Sequence, residues 1–197
     1  MRFIAMIFAA GVLACTAHAQ FGRVEKSQDE MAFEKAVSSQ AEHREKRAEA
    51  IRSCSQMDFA ACFTLGEFYR RGVGGLQDYE KSATAYRKSC SGGDGQGCAG
   101  LAYLFNDGKG VEIDYAQARL YYKKACDLGE ISGCAGYGNL LYVGKGGIRQ
   151  VNEGTKYLRN ACDQEYDWAC QRIIDLGAFD PKDDTYERLK EWKTRNF

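Results

Sequence analysis

Residues 90–98 read CSGGDGQGC, two cysteines eight positions apart across a glycine-rich turn. The spacing recurs at Cys54 and Cys62, at Cys126 and Cys134, and at Cys162 and Cys170, each pair 36 residues after the last. Laid on itself at that period, the chain gives CFTLGEFYRRGVGGLQDYEKSATAYRKSCSGGDGQG from 62. CAGLAYLFNDGKGVEIDYAQARLYYKKACDLGEISG follows from 98, and CAGYGNLLYVGKGGIRQVNEGTKYLRNACDQEYDWA from 134. A period of about 20–50 residues is the signature of a solenoid, in which each unit buries its apolar face only by stacking on its neighbours.

Each block divides into two helices. In the second repeat, helix A is predicted from Gly97 to Asn106, with Leu101 and Leu104 on one side. Gly108 and Gly110 supply the positive φ that ends it. Asp114, like Asp78 one repeat earlier, is placed to cap helix B, which continues to Cys126. The third repeat has Gln150 at the cap column, so its helix B is expected to start near Asn152.

The columns identify the buried faces. Leu65, Leu101, Tyr137 and Ile173 share one, Phe68, Leu104, Leu140 and Leu176 a second, and Tyr86, Tyr122 and Leu158 a third on helix B. Gly66, Ala102 and Gly138, with Ser82, Ala118 and Gly154, stay small, which lets paired helices approach closely. The fold class is therefore all-α: a superhelical solenoid of 36-residue two-helix repeats.

The first cysteine of each pair ends helix B and the second opens the next helix A. A tight turn between antiparallel helices brings these ends to the ~4.4–6.8 Å Cα separation a disulfide needs. Repeat symmetry favours Cys54–Cys62, Cys90–Cys98, Cys126–Cys134 and Cys162–Cys170, stapling each repeat to the next. The alternative, Cys62 with Cys90 across one unit, stays open.

The N-terminus carries the pattern of an export signal over 1–19. Arg2 precedes 12 apolar residues, Phe3 to Ala14, and Ala17-His18-Ala19 forms a small-x-small cleavage site before Gln20. Twelve residues span about 18 Å as a helix, short of a bilayer core of about 30 Å, and no other stretch is a transmembrane candidate. Val12-Leu13-Ala14-Cys15 competes as a lipobox, which would place a lipid anchor on Cys15 and make an outer-membrane lipoprotein. Soluble export to the periplasm or beyond is the preferred reading, and eight paired cysteines suit an oxidising compartment.

Chemistry is harder to find. The 27 Lys and Arg balance the 27 Asp and Glu, which gives no electrostatic reason to expect a nucleic-acid partner. Without a CxxC, and with His43 the single histidine after the signal, no metal and no cofactor are expected. No serine has a lysine three residues on, and neither G-x-S-x-G nor H-E-x-x-H occurs. No catalytic residue is assigned.

The quoted columns resemble the Sel-like repeat family, relatives of the tetratricopeptide repeat. LGEFYRRGVGGLQDYEKSATAYRKS and LAYLFNDGKGVEIDYAQARLYYKKA carry the resemblance. The junction cysteines and signal peptide are similar to the secreted Helicobacter cysteine-rich branch. The resemblance covers about 42–177. Outside it lie a charged helical segment over 20–41 and a C-terminal stretch, 178–197, expected to form a capping helix after Asp180-Pro181. It implies a right-handed α/α superhelix that serves as a protein scaffold. For the cysteine-rich branch it also implies the alternative of a β-lactam-binding protein with weak β-lactamase activity, with no nucleophile to carry over.

What varies between repeats is one face of helix A. Phe63, Glu67, Arg70, Tyr103, Asn106, Asn139 and Tyr142 stand where the repeats disagree. A constant frame with one varied face is how solenoids build binding surfaces, usually on the concave side, and aromatic and arginine side chains anchor such contacts. These seven are the candidate contacts for a protein or peptide partner in the concave groove.

Overall fold

The computed structural model describes residues 27–178 and 194. Among them are eight α-helices and no strand: α1 Gln28–Ser55, α2 Phe59–Arg71, α3 Tyr79–Ser91, α4 Gly95–Asp107, α5 Tyr115–Asp127, α6 Ile131–Val143, α7 Val151–Asp163 and α8 Asp167–Leu176. The expected signal peptide over 1–19, with Cys15, lies outside the described residues. So does the expected C-terminal capping helix, apart from residues 178 and 194.

The chain divides into two units, Met1–Ala36 and Val37–Phe197. The described part of the first opens α1 with a capping box. Ser27 Oγ accepts from the Glu30 amide at 3.2 Å, while Glu30 Oε2 accepts from the Ser27 amide at 2.9 Å. In the second unit, the remainder of α1 takes the place of a helix B, and α2 to α8 alternate as A and B.

Capping chemistry explains the helix limits. Asp78 accepts from the Lys81 amide at 2.9 Å, and Asp114 from the amides of Ala116 and Gln117 at 2.9 Å. Helix A has its own cap column, which the sequence pattern did not reveal. Asp58 accepts from Ala61 N at 3.0 Å, Asp94 from Gln96 N at 2.9 Å and Glu130 from Ser132 N at 3.2 Å. Asp94 therefore starts α4 at Gly95, two residues ahead of the expected Gly97. Gln150 makes no side-chain cap bond, yet α7 begins at Val151, one residue before the expected Asn152. Each helix A ends on a left-handed glycine: Gly72, Gly108 and Gly144 have φ of 71°, 67° and 78°.

The second glycine of each A–B loop meets a tighter demand. Gly74, Gly110 and Gly146 combine positive φ with the backbone of the preceding helix B. A Cβ there would lie 2.3 Å from His43 O, 2.3 Å from Tyr79 C and 2.1 Å from Tyr115 O.

Leu101, Leu104, Leu140, Leu158 and Ile173 are at most 1% exposed, and the small columns close beneath them, with Ser82 Oγ donating to Gly66 O at 2.9 Å. Phe68 and Leu176 depart from their column and are only half-buried. Phe68 has no helix A before it, and Leu176 sits on the last helix of the described array. Cys54–Cys62, Cys90–Cys98, Cys126–Cys134 and Cys162–Cys170 are disulfides, with Cα separations of 4.6, 4.5, 4.4 and 4.7 Å. Each joins the end of one helix B to the next helix A.

Candidate functional site: a groove across the A helices

Each helix A packs on its own B helix and also on the helix A of the next repeat, α2 on α4, α4 on α6 and α6 on α8. The A helices thus form a continuous row, and a groove of about 640 Å³ runs across it. α2 contributes Phe63, Glu67 and Arg70, and α4 contributes Gln96, Ala99, Gly100, Tyr103, Asn106 and Asp107. α6 adds Ser132, Gly136, Asn139 and Leu140, the α8 end adds Tyr166 and Trp168, and Glu130 stands at the α6 cap.

Two helix B side chains reach the groove through gaps left by glycine. Tyr86 lies against Gly66 and Gly100, where added Cβ atoms would meet its ring at 2.4 and 2.9 Å. Tyr122 lies against Gly136 in the same way, at 2.6 Å. The column expected to be buried throughout therefore splits. Tyr86 and Leu158 are fully buried, whereas Tyr122 stays partly open to the groove.

Polar contacts order the α2 end. Arg70 donates from Nε and Nη2 to the two oxygens of Glu67 at 2.9 and 2.7 Å, and Tyr86 donates its hydroxyl to the same carboxylate. Burial works against the charge on Glu67. The hydrogen bonds from Arg70 and Tyr86, with the charges of Arg70 and Arg71, outweigh it and hold the carboxyl below the usual range. Burial, then the Glu67 carboxylate, pushes the Tyr86 phenol up, so it remains a donor.

In the middle of the groove, the Arg70 guanidinium lies 6.0 Å from the Tyr103 ring centroid, and Lys109 donates to the Tyr103 hydroxyl. Asp107 is 3.1 Å from Lys109 and accepts from Asn106 at 2.8 Å. Burial disfavours its charge, but these bonds prevail and its carboxyl titrates low. Tyr122 is pushed up by burial and then by the Asp107 charge. Arg172 donates to Asn139 Oδ1 at 2.7 Å.

Six of the seven expected contact residues, Phe63, Glu67, Arg70, Tyr103, Asn106 and Asn139, come together in this groove. Tyr142 is not among its lining residues. Its hydroxyl donates to Leu176 O at 3.2 Å, tying the end of α6 to the end of α8. The sequence reading missed Tyr86, Tyr122, Glu130, Tyr166 and Trp168. The first two were assigned to the core column, and only their pairing with glycine columns 14 residues on, Gly100 and Gly136, could have marked them. His43, expected on a solvated helix, is exposed. Among the described residues, no group of three or more His, Cys, Asp or Glu side chains is arranged to hold a metal ion.

By comparison with known proteins, the fold recurs in a protective antigen of uropathogenic Escherichia coli with an SLR fold. The two are 23% identical at a TM-score of 0.61, over 75% of this chain and 36% of that one. A Sel1 repeat protein from Oxalobacter formigenes is 21% identical at a TM-score of 0.62, over 74% of this chain and 60% of that one. Cysteine-rich protein B of Helicobacter pylori is 25% identical at a TM-score of 0.53, over 67% of this chain and 95% of that one. The chain thus spans about a third of the length of the E. coli antigen. No curated protein matches it by sequence. The Sel1 repeat model matches three consecutive segments, 59–94, 95–130 and 131–166, each one A–B helix pair. With more than half of its length in these matches, the chain belongs to the Sel1 repeat family, whose members are generally protein-interaction scaffolds.

Proposed function

We propose that this protein is an exported Sel1 repeat scaffold that binds a protein or peptide along the helix A groove. One observation carries the reading: six side chains singled out because the repeats disagree there line a single groove of about 640 Å³. Side chains free to vary while their framework is held constant are available for recognition. Phe63, Tyr103, Tyr122, Tyr166 and Trp168 give the groove the aromatic content that anchors peptide binding. Four disulfides support an oxidising compartment, and among the described residues no helix is long and apolar enough to cross a membrane.

Capture of partners from the native envelope by wild-type and Tyr103→Ala protein, read by mass spectrometry, tests the binding surface. A partner retained by wild type and lost from the variant supports it. Partners that bind both equally would shift attention to the outer helix B face. A nitrocefin assay on the same oxidised protein tests the β-lactam alternative, with turnover abolished by denaturation as its positive result. N-terminal sequencing of secreted material tests export: a start at Gln20 marks soluble export, and palmitate labelling lost in Cys15→Ala marks a lipoprotein.

A further inference from the structure

The groove has two unlike halves. At the α2 end the chain supplies its own cation: Arg70 pairs with both oxygens of Glu67, the Tyr86 hydroxyl closes on the same carboxylate, and the guanidinium lies over Tyr103. One repeat on, the same columns carry Asn106 for Arg70, Tyr103 for Glu67 and Tyr122 for Tyr86. No guanidinium replaces the one that is lost. Among the described residues the Tyr122 hydroxyl has no hydrogen-bond partner, and the side chain remains partly open to the groove against Gly136.

Around Tyr122 stand Tyr166 and Trp168, their ring centroids 6.3 Å apart, with Trp168 45% exposed. Glu130 completes the wall. Its Oε1 accepts from the amide and hydroxyl of Ser132 at 3.2 and 2.7 Å, while its Oε2 accepts from no donor among the described residues. The neighbouring cations are engaged elsewhere, Lys109 with Asp107 and Arg172 with Asn139. No cation of the described residues forms an ion pair with Glu130.

We infer that this half of the groove, between Tyr122, Glu130, Tyr166 and Trp168, seats a basic side chain, lysine or arginine, of the bound peptide. The inference rests on the groove being the binding surface. Aromatic faces attract a cation, and a carboxylate oxygen without a partner offers it a charge-assisted acceptor. The Tyr122 hydroxyl can accept from it as Tyr103 accepts from Lys109. The chain already packs a guanidinium this way one repeat earlier, between carboxylate, phenol and ring. An acidic side chain would face Glu130 with like charge, and an apolar one would leave both the carboxylate oxygen and the phenol unpaired.

The test is an NMR titration of the isotope-labelled, oxidised full chain with Ac-Ala-Ala-Arg-Ala-Ala-NH2, with its uncharged citrulline twin and with its glutamate twin. The arginine peptide should move the Trp168 indole N–H and the Gly136 amide at millimolar concentration. Its Kd should lie about tenfold below that of the citrulline twin. Glu130→Gln keeps an oxygen to cap Ser132 and should erase that preference. Glu130→Asp keeps charge and cap alike, as Asp58 and Asp94 do, and should retain it, which separates recognition from folding of α6. Equal shifts from all three peptides would overturn the basic-side-chain inference and leave the groove reading standing, as would an unchanged preference in Glu130→Gln. Shifts confined to residues outside the groove would overturn both, and no shift from any peptide would overturn the inference.

Discussion

The guanidinium of Arg47 occupies the space a side chain on Gly75 would need: a Cβ there would lie 2.4 Å from Nη1. Arg47 donates to the carbonyls of Leu76 and Val73 at 3.3 and 3.5 Å and lies 4.2 Å from the Tyr69 ring centroid. Two repeats later the pair recurs as Arg119 and Gly147, at 2.5 Å, with Arg119 donating to Ile148 O at 3.1 Å and Gln150 Oε1 at 2.7 Å. In the repeat between, both positions change together. Val111 stands for the glycine and Ala83 for the arginine, and the two belong to one apolar cluster. The A–B loop is thus held by the preceding helix B in one of two complementary ways.

Gly75→Val alone should cost about 1 kcal/mol, because the valine displaces the Arg47 guanidinium from its bonds to the Val73 and Leu76 carbonyls. Gly75 does not have positive φ, so backbone strain does not confuse the result. Gly75→Val combined with Arg47→Ala reproduces the Val111 and Ala83 arrangement and should cost less than the sum of the single changes. A coupling of ~0.5–3 kcal/mol in a double-mutant cycle by thermal or urea unfolding would show it. Strict additivity would mean the pairing is incidental.

Leu104 and Tyr103 are adjacent in sequence and opposite in role. Leu104→Ala should lose ~2–5 kcal/mol, since its side chain is fully buried. Tyr103→Ala removes a half-buried groove residue that packs on the Leu101 and Leu104 cluster and accepts from Lys109, and should lose about 1–2 kcal/mol of stability, less than Leu104→Ala, while weakening partner binding. Melts and titrations on both variants measure the contrast. Arg70→Ala is a less selective probe, since it takes from Glu67 the partner that bonds both of its oxygens.

Removing one staple should be measurable without unfolding the array. Cys126→Ser with Cys134→Ser opens a loop of about nine residues and should cost about 2.5 kcal/mol in the chain-entropy model. Non-reduced peptide mapping of the wild type should recover each Cys linked to the one eight residues away. A Cys62–Cys90 peptide would contradict the fold in solution.

Acid should loosen the α2 end of the groove through Glu67. Its folded carboxyl titrates below the ordinary value of 4.5, so its contribution is present above that value and is lost as pH falls through the depressed one. Glu67→Gln should therefore show a shallower loss of melting temperature below about pH 4.5 than wild type. Identical profiles would show that the Arg70 and Tyr86 bonds add no pH-dependent stability.

The sequence by itself determined the repeat, the two-helix unit, the cap at Asp78 and Asp114, and six of the residues that line the groove. These are consequences of chain periodicity and local backbone chemistry. Every 36 residues the same apolar columns and left-handed glycines return, with the aspartate cap in two of the three repeats, and caps and glycines act within a few residues of themselves. Even the groove was legible in part, because Phe63, Glu67, Arg70, Tyr103, Asn106 and Asn139 stand on one helix face at columns where the repeats disagree. Only the tertiary structure decided what depends on neighbours distant along the chain. Tyr86 and Tyr122 share a column, yet Glu67 and Arg70 close over the first, while the second faces Tyr103 and Asn106 at those places and stays open. Tyr142 left the groove because Leu176, 34 residues on, offers its hydroxyl a carbonyl. Nothing in the sequence pattern singled out Glu130, whose role as the α6 cap came from the structure. Only the packing of α4, α6 and α8 reveals that it lines the groove with Tyr122, Tyr166 and Trp168, and that no cation of the described residues forms an ion pair with it.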